Sequence, residues 1–110
     1  MGKDDPIVYS EIWYNIAYTY VLIGEWELAL EAYKISLEYF PENIESMNNI
    51  GVIESKTSVE GAINWGEKSF REFPNFEAAF NLSIWYFEMR NFEKAYFYNQ
   101  ETLKLYPQHA

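Results

Sequence analysis

Three asparagines, Asn15, Asn49 and Asn81, each stand two residues before a small residue, Ala17, Gly51 or Ser83. A glutamate lies four residues ahead of each one, as Glu11, Glu45 and Glu77, and on a helix that spacing places both side chains on one face. An asparagine amide carries one acceptor and two donors, so it can pair with the N–H and C=O of a peptide unit without reading its side chain. A row of three would hold an extended backbone. A parallel row of glutamates would add a preference for lysine or arginine through charge-assisted hydrogen bonds. The aromatic residues Tyr14, Tyr18 and Phe80 fall near the same positions and can supply apolar or cation–π contacts. A plainer reading stands beside this one, because a glutamate in the first turn of a helix complements the helix dipole whatever it binds.

Nothing comparable points to catalysis. A nucleophile with its base, a shielded carboxylate pair or a metal cluster is required, and the only histidine, His109, stands next to the last residue. There is no cysteine, hence no disulfide and no thiolate, and no glycine-rich phosphate loop or metal-ligand spacing occurs. The expectation is a non-enzyme without metal or cofactor. The net charge of −9, from 17 acidic against 8 basic residues, opposes binding to nucleic acid and to anionic membranes and favours basic partners. Solubility alone is the simpler reading of that charge. The first residues, Met1 to Pro6, hold no apolar stretch for a signal peptide, and no run approaches membrane-spanning length, so a soluble, cytoplasmic protein is expected.

The elements that must position these residues follow from a repeat. Pro41, Pro74 and Pro107 are spaced by 33 residues, and so are Ala29, Ala62 and Ala95. The segments before the prolines align as Ser36 to Phe40, Ser69 to Phe73 and Thr102 to Tyr106, each with a small hydroxyl residue, a large apolar neighbour and an aromatic touching the proline. Between the markers lie two apolar-periodic stretches per repeat. Ser10, Asn43, Asn75 and Asn91 are placed to cap helices, and Thr57 to Glu60 has capping-box spacing. Gly24 supplies a turn, and the prolines end helices. Six helices are predicted near 10–23, 26–40, 44–56, 59–73, 76–89 and 92–106. A tail over 1–9 would precede one domain over 10–110, with repeats at about 10–43, 44–75 and 76–109. At 110 residues, 20% of them aromatic, one continuous core is expected.

The first repeat resembles the tetratricopeptide repeat, whose pattern of Trp, Leu-Gly, Tyr, Ala, Phe and Pro is matched in spacing by Trp13, Ile16, Ala17, Tyr20, Ala29, Tyr33 and Pro41. The second keeps Met47, Ile50, Gly51, Ala62 and Pro74, and the third keeps Leu82, Ser83, Tyr86, Ala95 and Pro107. The resemblance implies an all-α fold, a right-handed superhelical solenoid of three antiparallel helix pairs that binds proteins or peptides. It also implies that the first helix of each pair lines a concave groove, that asparagine is common at the Asn15 position in the family, and that Trp13, Tyr20, Tyr33 and Tyr86 are core residues. Domains of this kind that clamp chaperone carboxylate tails carry Lys, Asn and Arg along the groove. Here Tyr14, Tyr18, Glu77 and Asn81 stand at those places and only Asn49 agrees, so an acidic tail is not the expected ligand. Short stretches around Trp13, Asn49 and Asn81 also resemble the C-terminal repeats of a BBSome subunit family, in residues generic for the fold.

Two departures from the pattern affect packing. Gly66 and Asn99 replace the ring that fills the gap within a helix pair, so Trp65 and Tyr98 are expected to rotate in, or a cavity to remain. The final helix, Phe92 to Tyr106, carries Tyr96, Phe97, Tyr98, Leu103 and Leu105, more apolar surface than one neighbour covers. A homodimer through that helix, helix exchange between chains, and a longer solenoid are the three ways to cover it. The resulting expectation is an adaptor holding an extended basic peptide, with a scaffold subunit acting through its end faces as the alternative.

Overall fold

The computed structural model describes residues 5–106. Pro107, His109 and the first four residues of the expected tail lie outside the described residues. Asp5 and Pro6 start the first helix, α1 (Pro6–Leu22). The Asp5 carboxylate accepts the Ile7 N–H at 2.9 Å, and Pro6 occupies the first turn, where a missing N–H loses no bond. The helix thus begins a full turn before the expected residue 10. Tyr9 packs its ring against Tyr39 at 5.3 Å between centroids, which fastens that added turn. Ser10, expected to cap α1, is fully buried within it.

The remaining helices are α2 (Trp26–Tyr39), α3 (Ile44–Glu54), α4 (Val59–Glu72), α5 (Phe76–Glu88) and α6 (Phe92–Leu105). Asn43, Asn75 and Asn91 cap α3, α5 and α6, accepting the N–H groups of Ser46, Ala78 and Lys94 at 3.0, 2.9 and 3.2 Å. Ser58, not Thr57, caps α4 by accepting from Gly61 N–H at 3.0 Å, so the Thr57 to Glu60 box does not form. Gly24 adopts φ +80° in the turn after α1, which glycine permits without a Cβ clash. In the turn after α5, Arg90 takes φ 63° in its place. Among the described residues there is no strand, and the fold is all-α.

Helices pack as α1 on α2, α3 on α4 and α5 on α6, while α2 meets α3 and α4 meets α5. The short turns make each pair antiparallel. Ala29, Ala62 and Ala95 are all buried, because backbones approach closely where paired helices cross and only a small side chain fits. The buried apolar residues form two clusters instead of one continuous core. Ala17, Ala29, Ala32, Tyr33, Ile50 and Ile53 join α1, α2 and α3, while Ala62, Ala79, Leu82, Trp85, Tyr86, Ala95 and Tyr98 join α4, α5 and α6. Burying a side chain such as Ile50 or Leu82 contributes about 1.5–3 kcal/mol.

The gap at Gly66 is closed from the next helix pair. A Cβ there would lie 2.8 Å from Leu82 Cδ2 and 3.3 Å from Trp85 Cζ3. Trp65, expected to fill the gap, turns instead onto the first cluster. At the equivalent place in the last pair Asn99 is exposed and Tyr98 does turn inward, stacking on Tyr86 at 5.8 Å. Both phenols donate to the carboxylate of Glu67, Tyr86 at 2.5 Å and Tyr98 at 2.8 Å. A polar seam joins the first two pairs: Ser36 Oγ lies 2.8 Å from Ser10 Oγ and 2.9 Å from Ser46 Oγ, and Asn43 Nδ2 donates to Ser10 Oγ at 2.9 Å. The next seam repeats part of it, with Asn75 Nδ2 donating to Ser69 Oγ at 3.1 Å.

Candidate functional site

The first helices of the three pairs, α1, α3 and α5, carry the asparagine and glutamate rows. α3 touches α5 directly, and α1 is tied to α3 where Asn49 Nδ2 donates to the Tyr14 hydroxyl at 3.4 Å. Tyr14 is half-buried, its ring parallel to that of Tyr18 at 6.5 Å and tilted against the buried Tyr33 at 5.7 Å. Tyr14 and Tyr18 are one helical turn apart, which is why their rings run parallel. Tyr18 remains 47% exposed.

Burial pushes the Tyr14 phenol above its ordinary range; the Asn49 hydrogen bond opposes this, and the Glu45 and Glu77 carboxylates and Tyr18 add to it. Tyr14 therefore stays neutral at physiological pH. Since its oxygen accepts from Asn49, its own proton is free for an incoming acceptor.

Of the residues singled out from sequence, the structure brings Tyr14, Tyr18 and Asn49 into contact. Glu45 and Glu77 are exposed. Glu11 and Asn15 are exposed on α1 and take no part in the hydrogen bonding around Tyr14. Asn81 is half-buried on α5. Phe80 belongs to a second aromatic row, stacked on Phe76 at 5.8 Å, which in turn meets Tyr106 at 5.2 Å. Phe76 was not anticipated, although its spacing of four from Phe80 was the available signal. Asn48, which donates to Asn75 Oδ1 at 3.0 Å across a seam, escaped the sequence reading; Tyr33 is a core residue as expected, and its buried hydroxyl has no hydrogen-bond partner.

Residues 11–43 match the tetratricopeptide repeat family. The match covers most of α1, all of α2 and the Pro41 turn, ending on the cap of α3. Tetratricopeptide repeats are interaction modules that act by binding other proteins and not by catalysis. Comparison of the chain with curated proteins finds no match. Among the described residues no helix is long and apolar enough to cross a membrane.

Proposed function

We propose that the α3–α4 and α5–α6 pairs are two further tetratricopeptide repeats and that the chain is an adaptor. Its α1, α3 and α5 face holds an extended basic peptide. The observation that carries this reading is the hydrogen bond from Asn49 on α3 to the Tyr14 hydroxyl on α1, next to the parallel, exposed ring of Tyr18. Asn15, Asn49 and Asn81 pair with the peptide backbone, Tyr14 donates to one of its carbonyls, and Glu11, Glu45 and Glu77 select its lysines and arginines. Tyr18 and Phe80 lend exposed ring surface to the aliphatic stems of those residues.

The test is isothermal titration with an extended lysine- and arginine-rich peptide and with a glutamate-rich peptide of equal length. Binding of the first alone is expected, weakened about tenfold or more by Asn49→Ala and by the double change Glu45→Gln and Glu77→Gln, with stability unchanged. Equal affinity for both peptides, or unchanged affinity in these variants, refutes the reading.

A second reading is favoured by one observation on α6. Leu30, Ile63 and Tyr96 are equivalent by the 33-residue period, yet the first two are half-buried against a following helix pair and Tyr96 is 67% exposed. Phe92, Phe97 and Leu103 are exposed with it. Such a surface suits a scaffold subunit that self-associates through α6. Light scattering across a concentration range decides: a dimer abolished by Leu103→Glu supports it, and a concentration-independent monomer refutes it.

A further inference from the structure

Trp26 opens α2 at the edge where the α1–α2 and α3–α4 turns lie, and 41% of it is exposed. Its indole forms one wall of a cavity of about 510 Å³, closed by Glu27, Leu30, Ile53, Glu54, Lys56 and Thr57. An adjoining recess of about 350 Å³ shares Trp26 and Glu27 and adds Glu25 and Glu31. Lys56 Nζ stands 4.5 Å from the indole centroid, so the face of this ring already holds a cation. None of these residues belongs to the centre around Tyr14.

Charge and shape together define what else the cavity accepts. Glu25, Glu27, Glu31 and Glu54 outnumber the single cation Lys56 along the two recesses. A carboxylate aimed at Lys56 would meet that excess, whereas a cation is drawn to it. Leu30 and the buried Ile53 offer apolar surface to a hydrocarbon stem or an aliphatic neighbour. A guanidinium is planar and less strongly hydrated than an ammonium, and it stacks better on an indole.

We propose that this cavity is a second binding site, independent of the groove, which takes an arginine side chain of a partner protein next to an aliphatic residue. The arriving guanidinium displaces Lys56 from Trp26. In the free protein Lys56 is the resident cation, and it lowers the affinity of the site by competing for the ring.

The test is a nitrogen-15 NMR titration of the full chain, following the Trp26 indole N–H, which is assigned by its loss in Trp26→Leu. The probes are capped leucyl-arginine amide, its uncharged isostere capped leucyl-citrulline amide, and capped leucyl-glutamate amide. Only the arginine probe is expected to give a saturable shift. Lys56→Ala and Lys56→Met, which free the ring, should tighten it about two- to fivefold. Trp26→Leu should remove the accompanying shifts at Ile53 and Thr57, and Asn49→Ala should leave them intact. An equal response to all three probes, or an affinity unchanged or weakened in both Lys56 variants, overturns the proposal.

Discussion

Replacing Gly66 by alanine should destabilise the protein, against the ordinary rule for a helix interior. Alanine is favoured over glycine there by about 1 kcal/mol. Gly66, however, faces Leu82: an added Cβ would lie 2.8 Å from its Cδ2 and 3.0 Å from its Cγ. Carbon atoms in contact prefer about 3.5–4.0 Å, so the overlap approaches ~0.7 Å at the closest atom. Leu82 is fully buried, with Trp85 at 3.3 Å from the same point, so neither side chain has open space to move into. Overpacking of this kind costs about 1–3 kcal/mol, which outweighs the gain in propensity and leaves a net loss of about 1 kcal/mol. Urea unfolding followed by circular dichroism should show the midpoint falling by about 0.5–1 M at unchanged slope. Gly61→Ala is the control. There the close atom is Glu54 Oε1 at 2.9 Å, the end of a flexible, half-buried side chain, so no loss greater than about 0.3 kcal/mol is expected. Leu82→Val in the Gly66→Ala background should recover part of the loss, with a coupling of about 0.5 kcal/mol or more. A midpoint for Gly66→Ala at or above the wild type, or equal to that of Gly61→Ala, would refute the packing assigned to Gly66.

Three other outcomes can be checked in the same assay. Tyr33→Phe should be neutral or stabilising by up to about 1 kcal/mol, because it removes a buried hydroxyl that has no partner. Arg90→Gly should stabilise by about 0.5–1 kcal/mol, since φ 63° strains a residue with a Cβ; the contact of Arg90 with the Phe92 ring, 5.6 Å away, is too weak to reverse the sign. Burial raises the phenols of Tyr33, Tyr86 and Tyr98, the latter two further through Glu67, so the fold retains these protons while the unfolded chain loses them. Their contribution is complete below pH about 10 and declines above it by up to about 1.4 kcal/mol per pH unit for each phenol. Tyr98→Phe should make that decline shallower.

The all-α architecture and the start of most helices were legible in one dimension. Ala29, Ala62 and Ala95 recur because helix crossings exclude large side chains, and such a steric demand leaves a mark at a fixed period. Asn43, Ser58, Asn75 and Asn91 act on N–H groups three residues away, so their capping is local and readable, apart from the one-residue shift at Ser58. Ser10 looked the same, but its partner Ser36 stands 26 residues away, and only the packing of α1 on α2 turned a candidate cap into a buried seam residue.

The same division holds for the proposed binding face. Residue types and spacing singled out the asparagine and glutamate rows, because helical periodicity alone places them on one side. Which members meet was decided by the tertiary structure: Asn49 reaches Tyr14 from another helix, and Phe80 joins Phe76 and Tyr106. Gly66 could be seen to lack a ring, yet the atoms that fill the space belong to Leu82 and Trp85 of the next pair. Lys56 on Trp26 is likewise a contact between turns 30 residues apart. Periodicity and capping depend on neighbours along the chain and are written in it. The direction a long side chain takes depends on which space its neighbours leave open, and that exists only once the helices have packed.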